Sequence, residues 1–537
     1  MENIITDIYW DNTRMFIEYT AKKPIGLTLM RGKAEYPTEE QKIADGKIQA
    51  VINIAIAEGG RELLPGGFYR FVKHEFDYEI EDEVAVELPA DNKLLIKAVE
   101  KSRIYRYGGK KYAYAVTFDV KETENGNCIR MFTNFMRKNN HPKRRRPFFE
   151  CKKVSKKIKK AIGLTARKIG GGFYYIFSIF APKKKNRILF MSENRFAISE
   201  NLDAINVRLK ERNLDEKYKI SYSFRNIFDR KYSLFSSLAV IWKIAMSDYI
   251  FIDDYTPIFT LFKLRKSTVL VQTWHAGVGF KTVGYARFGI AGSPHPYHSC
   301  HRKYTYGLVG CEDLKDIYSE VWGIPKSALI ASGMPRLDHF LDEDIMRSEQ
   351  ERLLEKYPQL RDKKVILFAP TYRGVGQKTA YYDFEQLDFP KLYEFCKENN
   401  AVFVFKMHHF IKDAVPIADE ERDLLIEITD EKINSLYYVS DVLITDYSSC
   451  FYDYSLLKKP ILFYLYDQEL YTATRGVQRP IEDVAPGKIC NTFDDMLKAL
   501  KEEDFETEKL DTFYIDKAGE HKKMASDIVI DEIILGN

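Results

Sequence analysis

From Arg187 onward, short apolar runs alternate with amphipathic stretches. Ile188–Phe190, Tyr218–Phe224, Tyr249–Ile252, Val269–Val271 and Leu329–Ile330 read as strands. Helices are expected over Leu202–Leu209, Leu234–Ala245 and Leu314–Val321. A second series begins at Val365–Phe368 and continues through Val402–Phe405, Leu424–Ile426, Val442–Ile444 and Ile461–Tyr464. Two such series in succession predict an α/β chain with two doubly wound domains facing across a cleft, taken as residues 187–350 and 351–537. The hinge is expected between Arg336 and Lys363, and a closing helix over Ala518–Leu535.

Upstream the period changes. Between Met1 and Asn134 the alternation is of the strand kind, as in Tyr69–Lys73 and Tyr112–Phe118, broken by Leu64-Pro65-Gly66-Gly67. This predicts a small β-rich accessory domain over residues 1–135, a sandwich that packs or docks and carries no chemistry of its own.

Residues 136–186 differ again. From Arg137 to Lys160 basic residues dominate and Glu150 is the only acid; the aromatic run Phe173–Phe177 and Lys183-Lys184-Lys185 follow. Lysine flanks around an apolar middle suit a segment lying on an anionic membrane surface, so Arg137–Lys185 is read as a membrane-surface linker. Ile169–Ala181 is too short to span a bilayer and holds three glycines. No recognisable module offers base-stacking aromatics, so nucleic acid is not expected as a partner.

Composition narrows this further. With 537 residues, 45% hydrophobic and 14% aromatic, the chain supports two or three cored domains. Its net charge of +4 is too small for a global polyanion binder. Seven scattered cysteines without a CxxC pair point to a reducing compartment, and the N-terminus lacks a signal-peptide pattern, so a cytoplasmic location is expected. His295, His298 and His301 lie in a Gly/Pro-rich loop without matching Cys or carboxylates, so no metal site is assigned.

The chemistry concentrates where the strands end. Val442–Ile444 runs into Thr445-Asp446-Tyr447-Ser448-Ser449 and then a helical pattern, the local geometry of a phosphate cradle or of an ordinary capped helix. Other strand ends carry Thr273-Trp274-His275-Ala276-Gly277, Thr371-Tyr372-Arg373-Gly374 and Lys406-Met407-His408-His409. Cations, paired serines and imidazoles suit chemistry on a phosphorylated substrate.

These residues also carry a resemblance. TWHAGVGFKTVG at Thr273–Gly284, SGMPRLDHF at Ser332–Phe340, FAPTYRG at Phe368–Gly374, FKMHHF at Phe405–Phe410 and TDYSSCFYDY at Thr445–Tyr454, in this order, resemble the CDP-glycerol glycerophosphotransferase family, the teichoic acid polymerases and primases of Gram-positive bacteria. DIYWDNTRMFIEY at Asp7–Tyr19 resembles the accessory domain of its longer members, which include poly(ribitol-phosphate) polymerases. The resemblance implies a GT-B-like fold and a peripheral enzyme at the cytoplasmic face of the membrane. It implies transfer of glycerol phosphate or ribitol phosphate from a CDP-alditol to a lipid-linked acceptor, with CMP released. His275 matches the general base and His408 the second essential histidine, although the family usually has proline where this chain has His409. Arg373, Lys406, Thr445, Asp446, Ser448 and Ser449 are expected at the donor phosphates, and Lys281 and Arg336 on the acceptor side. No cofactor is required on this reading, with Mg²⁺ and self-association left open. Glycerol stands first as the family's commonest donor. The alternatives are a glycosyltransferase using a nucleotide sugar and a non-catalytic assembly scaffold.

Overall fold

The computed structural model describes residues 3–44, 46–57, 60, 62–77, 82–107, 112–137, 170–182, 186–198, 200–227, 232–275, 283–288, 294–295, 299–374, 379–475, 480–513 and 523–536. Lys281, His298, Cys151 and most of the Arg137–Lys185 segment lie outside these residues.

The N-terminal domain is a sandwich of two antiparallel sheets. One sheet runs Ile4–Asp11, Arg14–Thr20, Lys47–Asn53, Glu39–Ala44; the other is built around Gly67–Asp77, Gly126–Arg137 and Tyr112–Thr123. Alternate residues point inward, Met15, Ile17 and Tyr19 from one sheet meeting Tyr114, Val116 and Phe118 from the other. That core also takes in Tyr285 and Phe288 from the segment following His275. Asn12 donates to the Ala286 carbonyl (2.6 Å), Arg302 donates to the Ala55 carbonyl (2.5 Å), and Arg14 pairs with Glu320. The accessory domain is thus packed on the chain just downstream of His275.

Two parallel six-stranded sheets follow. In the first, the order is Lys219–Phe224, Arg187–Ser192, Tyr249–Ile252, Val269–Gln272, Tyr306–Leu308, Leu329–Ile330. Its strands explain their unbroken apolar runs, because successive residues feed two separate cores. Leu189, Met191, Ile250, Ile252 and Leu270 face one, and Ile188, Phe190, Phe251 and Val271 the other. In the second sheet the order is Leu425–Glu427, Ala401–Phe405, Lys364–Phe368, Val442–Thr445, Ile461–Tyr464, Lys488–Cys490. The order reverses between Lys364–Phe368 and Val442–Thr445, which places a ligand crevice at the ends of those two strands.

The domain boundaries differ from those read along the chain. Met334 and Leu337 already belong to the core of the second unit, so the crossover falls before residue 350. The terminal helix Ala525–Val529 and the wider turns of Ile530–Leu535 return to the first unit, where Val529, Ile530, Ile533 and Ile534 close the core over Ile188 and Phe190. Burying each such side chain is worth about 1.5–3 kcal/mol. Sequence periodicity could locate this segment but not the sheet it covers.

Residues 170–179 form a helix on the first unit, with Tyr174 stacked on Phe262 (4.1 Å) and Phe177 against Trp242 (5.1 Å). The glycines permit the approach: a Cβ at Gly171 would meet the Leu261 carbonyl at 2.8 Å. Among the described residues no helix is long and apolar enough to cross a membrane. His301 is buried, bonded to the Tyr304 hydroxyl (3.0 Å), and pushed down to about 3 by burial and the neighbouring Arg302, which makes it a core histidine.

The returning helix is tied to Glu200–Glu211 by Arg208 and Arg212, which donate to Asp527 and Asp531. Hydrogen bonding from Arg208 holds the Asp527 carboxyl below its ordinary range, against the opposing effect of burial. A depressed carboxylate stabilises the fold above its unfolded pKa and loses that contribution as pH falls through the folded one. Asp527→Asn should therefore lower the unfolding temperature at pH 7, and the gap from wild type should close below about pH 4, measured by calorimetry across pH.

Candidate active site

His275 lies three residues beyond the Val269–Gln272 strand on a strained turn. Trp274 sits at φ +51°, which a bulky residue adopts only under constraint. The constraint is visible: Trp274 N–H donates to Gln272 Oε1 (2.9 Å), and Asn201 Nδ2 donates to the carbonyls of Thr273 (3.0 Å) and Trp274 (2.5 Å). The half-exposed imidazole is oriented through Nδ1, 3.4 Å from the Asp253 carbonyl. A carbonyl only accepts, so Nδ1 carries the proton and Nε2 keeps the lone pair, the tautomer that can take a proton.

Beneath it, the buried Asp253 carboxyl is raised by burial and lies 2.9 Å from Arg195 Nε; Arg195 also pairs with Glu200 (2.9 Å). Neither Asp253 nor Arg195 was singled out from the sequence. The strand-end rule reaches both when applied to the strands ending at Ser192 and Ile252.

In the second unit the expected donor-site residues fall into two groups. Thr445, Asp446 and Arg373 are spent inside the protein, Asp446 and Arg373 on each other and Thr445 on the neighbouring backbone. Thr445 Oγ1 donates to the Ala369 carbonyl (2.8 Å), and Asp446 accepts from Thr371 N–H (2.7 Å) and Arg373 Nη1 (2.7 Å). Arg373 also grips Asp467 through Nε (2.7 Å) and Nη2 (2.8 Å) and donates to the Thr371 carbonyl (2.6 Å). Tyr382, Tyr447, Tyr466 and Tyr471 surround it. Burial works against its charge, and Asp446 and Asp467 outweigh that and hold it protonated. Gly374, at φ +89°, folds this loop back, since a Cβ there would overlap the Thr379 carbonyl.

Ser448, Ser449, Lys406 and His408 are half-exposed, and His409 is exposed. Ser448 Oγ accepts from Cys450 N–H (3.4 Å), and Ser449 precedes the Cys450–Ser455 helix without capping it by its side chain. Lys406 Nζ donates to the Thr429 carbonyl (2.7 Å), and burial lowers its pKa. His408 Nδ1 accepts from Phe410 N–H (3.2 Å), so in the neutral ring the proton sits on Nε2. Its ring lies against Tyr372 (4.7 Å) and His409 (4.4 Å). Burial lowers the His409 pKa, helped by the charges of Lys412, Lys406 and, from the first unit, Arg195. The two units therefore present complementary imidazoles, one with an accepting Nε2 and one with a donating Nε2.

Arg336, expected on the acceptor side, is buried and grips Asp453, with Nη1 and Nη2 at 2.5 and 2.7 Å from its two oxygens. Among the described residues no three His, Cys, Asp or Glu side chains gather as a metal set.

Two facing Rossmann units, a terminal segment that crosses back, and polar groups at their carboxyl edges define an enzyme of the GT-B-like class. Residues 173–534 match the family model described as CDP-Glycerol:Poly(glycerophosphate) glycerophosphotransferase. The teichoic acid ribitol-phosphate polymerase TarL of Staphylococcus aureus (strain NCTC 8325 / PS 47) is 32% identical, with 95% of each chain covered. The teichoic acid poly(ribitol-phosphate) polymerase of Bacillus spizizenii (strain ATCC 23059 / NRRL B-14472 / W23) is 40% identical over 67% of this chain and 58% of that one. A solved structure of the wall teichoic acid polymerase TagF shares the fold, with a TM-score of 0.56 at 21% identity over 72% of this chain and 98% of that one. The chain belongs to the CDP-glycerol glycerophosphotransferase family and is a phosphotransferase.

Replacing Arg373 by Met should leave Asp446 and Asp467 buried without their cation. The expected loss is about 3–5 kcal/mol, read from the urea midpoint.

Proposed function

We propose that this protein transfers ribitol phosphate from CDP-ribitol to the terminal hydroxyl of a lipid-linked teichoic acid, releasing CMP. The observation that carries the reading is the pairing of His275, with its accepting Nε2, and the half-exposed Ser448, Ser449 and His408 of the second unit. His275 Nε2 takes the proton of the acceptor hydroxyl. The freed oxygen attacks the alditol-side phosphorus, and the phosphoanhydride bond to CMP breaks with its electron pair on the departing phosphate. His408 Nε2–H, the two serine hydroxyls and Lys406 stabilise that charge; Arg373 and Asp446 act by holding the loops.

Ribitol moves ahead of glycerol because the relative matched over 95% of both chains, accessory domain included, bears the name of a ribitol-phosphate polymerase. Incubating the protein with CDP-ribitol, CDP-glycerol and nucleotide sugars in turn, with a lipid-linked acceptor, should release CMP fastest from CDP-ribitol. Release of a nucleoside diphosphate from a nucleotide sugar would overturn the reading. His275→Ala should abolish transfer and leave CDP-ribitol binding within about twofold in calorimetric titration.

The same reading places the enzyme on the membrane surface. Ile176, Ile179 and Phe180 are exposed on and just after the 170–179 helix, and Leu234, Phe235 and Trp242 on the Leu234–Met246 helix, with Phe177 bridging to Trp242. This apolar strip adjoins the lysine-rich stretches of the sequence and suits insertion among anionic headgroups. Changing Ile179 and Phe180 together to Glu should weaken sedimentation with phosphatidylglycerol vesicles by about tenfold or more.

A further inference from the structure

Asn201 is buried at the head of the Glu200–Glu211 helix and uses both ends of its amide. Its Nδ2 holds the Thr273 and Trp274 carbonyls, and its Oδ1 accepts from Arg336 N–H at 2.9 Å. Arg336 in turn grips Asp453 with both Nη groups. Asp453 belongs to the Cys450–Ser455 helix, which begins directly after Ser448 and Ser449. Two sets of hydrogen bonds, joined through the covalent frame of Arg336 from its N–H to its guanidinium, thus connect the turn before His275 to the helix behind the serine tip.

This line crosses between the two Rossmann units at the bond from Arg336 N–H to Asn201, and on the second-unit side it is secured by the buried pair of Arg336 and Asp453. Burial is the largest influence on both partners, lifting the Asp453 carboxyl and working against Arg336, and their mutual attraction and bidentate bonding keep the guanidinium charged. An Arg–carboxylate fork tolerates little change in angle or distance, unlike an apolar contact that slides. The strained Trp274 turn lies at its far end, held by the same Asn201.

We propose that Asn201, Arg336 and Asp453 are positioning residues that set the proton-accepting loop and the donor loop as one rigid unit, fixing His275 relative to Ser448 and Ser449. The inference rests on the transferase reading given above for what those two loops do. It requires that loss of the pair be felt at His275, in the other unit, and in turnover more than in donor binding. A misplacement of even an ångström between reacting groups is costly, so relaxed geometry lowers kcat while the donor still binds.

The test uses the full-length protein with Asn201→Asp, Arg336→Lys and Asp453→Asn. Hydrogen exchange of the Gln272–His275 amides should rise in Asp453→Asn, although the change lies in the other unit. With CDP-ribitol and a lipid-linked acceptor, kcat of the folded variants should fall about 10- to 100-fold, with KM for the donor moved by no more than about twofold. Arg336→Lys, which keeps the charge and loses the fork, should fall with them. Increased exchange confined to Cys450–Ser455 with wild-type kcat would overturn the proposal, as would a raised donor KM at unchanged kcat. If the wild-type protein releases no CMP from any CDP-alditol, the functional reading falls, and the exchange at Gln272–His275 still decides whether the two loops are coupled.

Discussion

Two buried arginines hold the segment from Asp446 to Asp453 at its two ends. Arg373 fixes Asp446 from within the second unit, and Arg336 fixes Asp453 from the crossover. Both pairs are taken out of water, which is tolerable only because each guanidinium is met by carboxylates in bidentate or multiple contact. Between the clamped ends stand Tyr447, stacked on Tyr471 (3.7 Å), the half-exposed Ser448 and Ser449, and the buried Cys450, Phe451 and Tyr452. A loop restrained this way presents its hydroxyls at fixed positions, and that is the requirement for stabilising charge in a transition state rather than following it.

The remainder of the fold holds the opposite side. The first sheet buries both faces, one partly under the returning C-terminal segment and the other under the 170–179, Leu234–Met246 and Leu314–Trp322 helices. The accessory sandwich takes Tyr285 and Phe288 into its own core and so anchors residues 283–288. His275 is therefore placed by the strand that leads into it, by Asn201 holding the turn before it and by the Asp253 carbonyl at its ring.

Much of this was legible in the sequence. Apolar runs marked most strands of both parallel sheets, because each strand feeds a core on either face, while the short Tyr306–Leu308 and Lys488–Cys490 were not among those read; the strand-end rule pointed to four loops, and the structure sets each at the carboxyl end of its strand. The same residues did not reveal their direction. Thr445, Asp446 and Arg373 have the composition of a phosphate site, yet their hydrogen bonds are made within the protein, because a crowded sheet edge must satisfy its own polar groups first. Arg336 is expected on the acceptor side until Asp453, 117 residues away, is brought to it. Asn201 carries no signal at all in one dimension, being an ordinary polar residue at a helix start. The domain boundary was misplaced for a related reason: covering the first sheet requires a segment from the far end of the chain, and periodicity does not say which sheet a helix covers.

On the proposed transferase reading, donor charge is met by the serine tip and His408 while the buried arginines stay with their carboxylates. An experimental structure with bound CDP-ribitol tests this most directly. The pyrophosphate should lie within hydrogen-bonding distance of Ser448, Ser449 and His408 Nε2, with Arg373 still bonded to Asp446 and Asp467. A pyrophosphate seated on Arg373, with either carboxylate displaced, would contradict it.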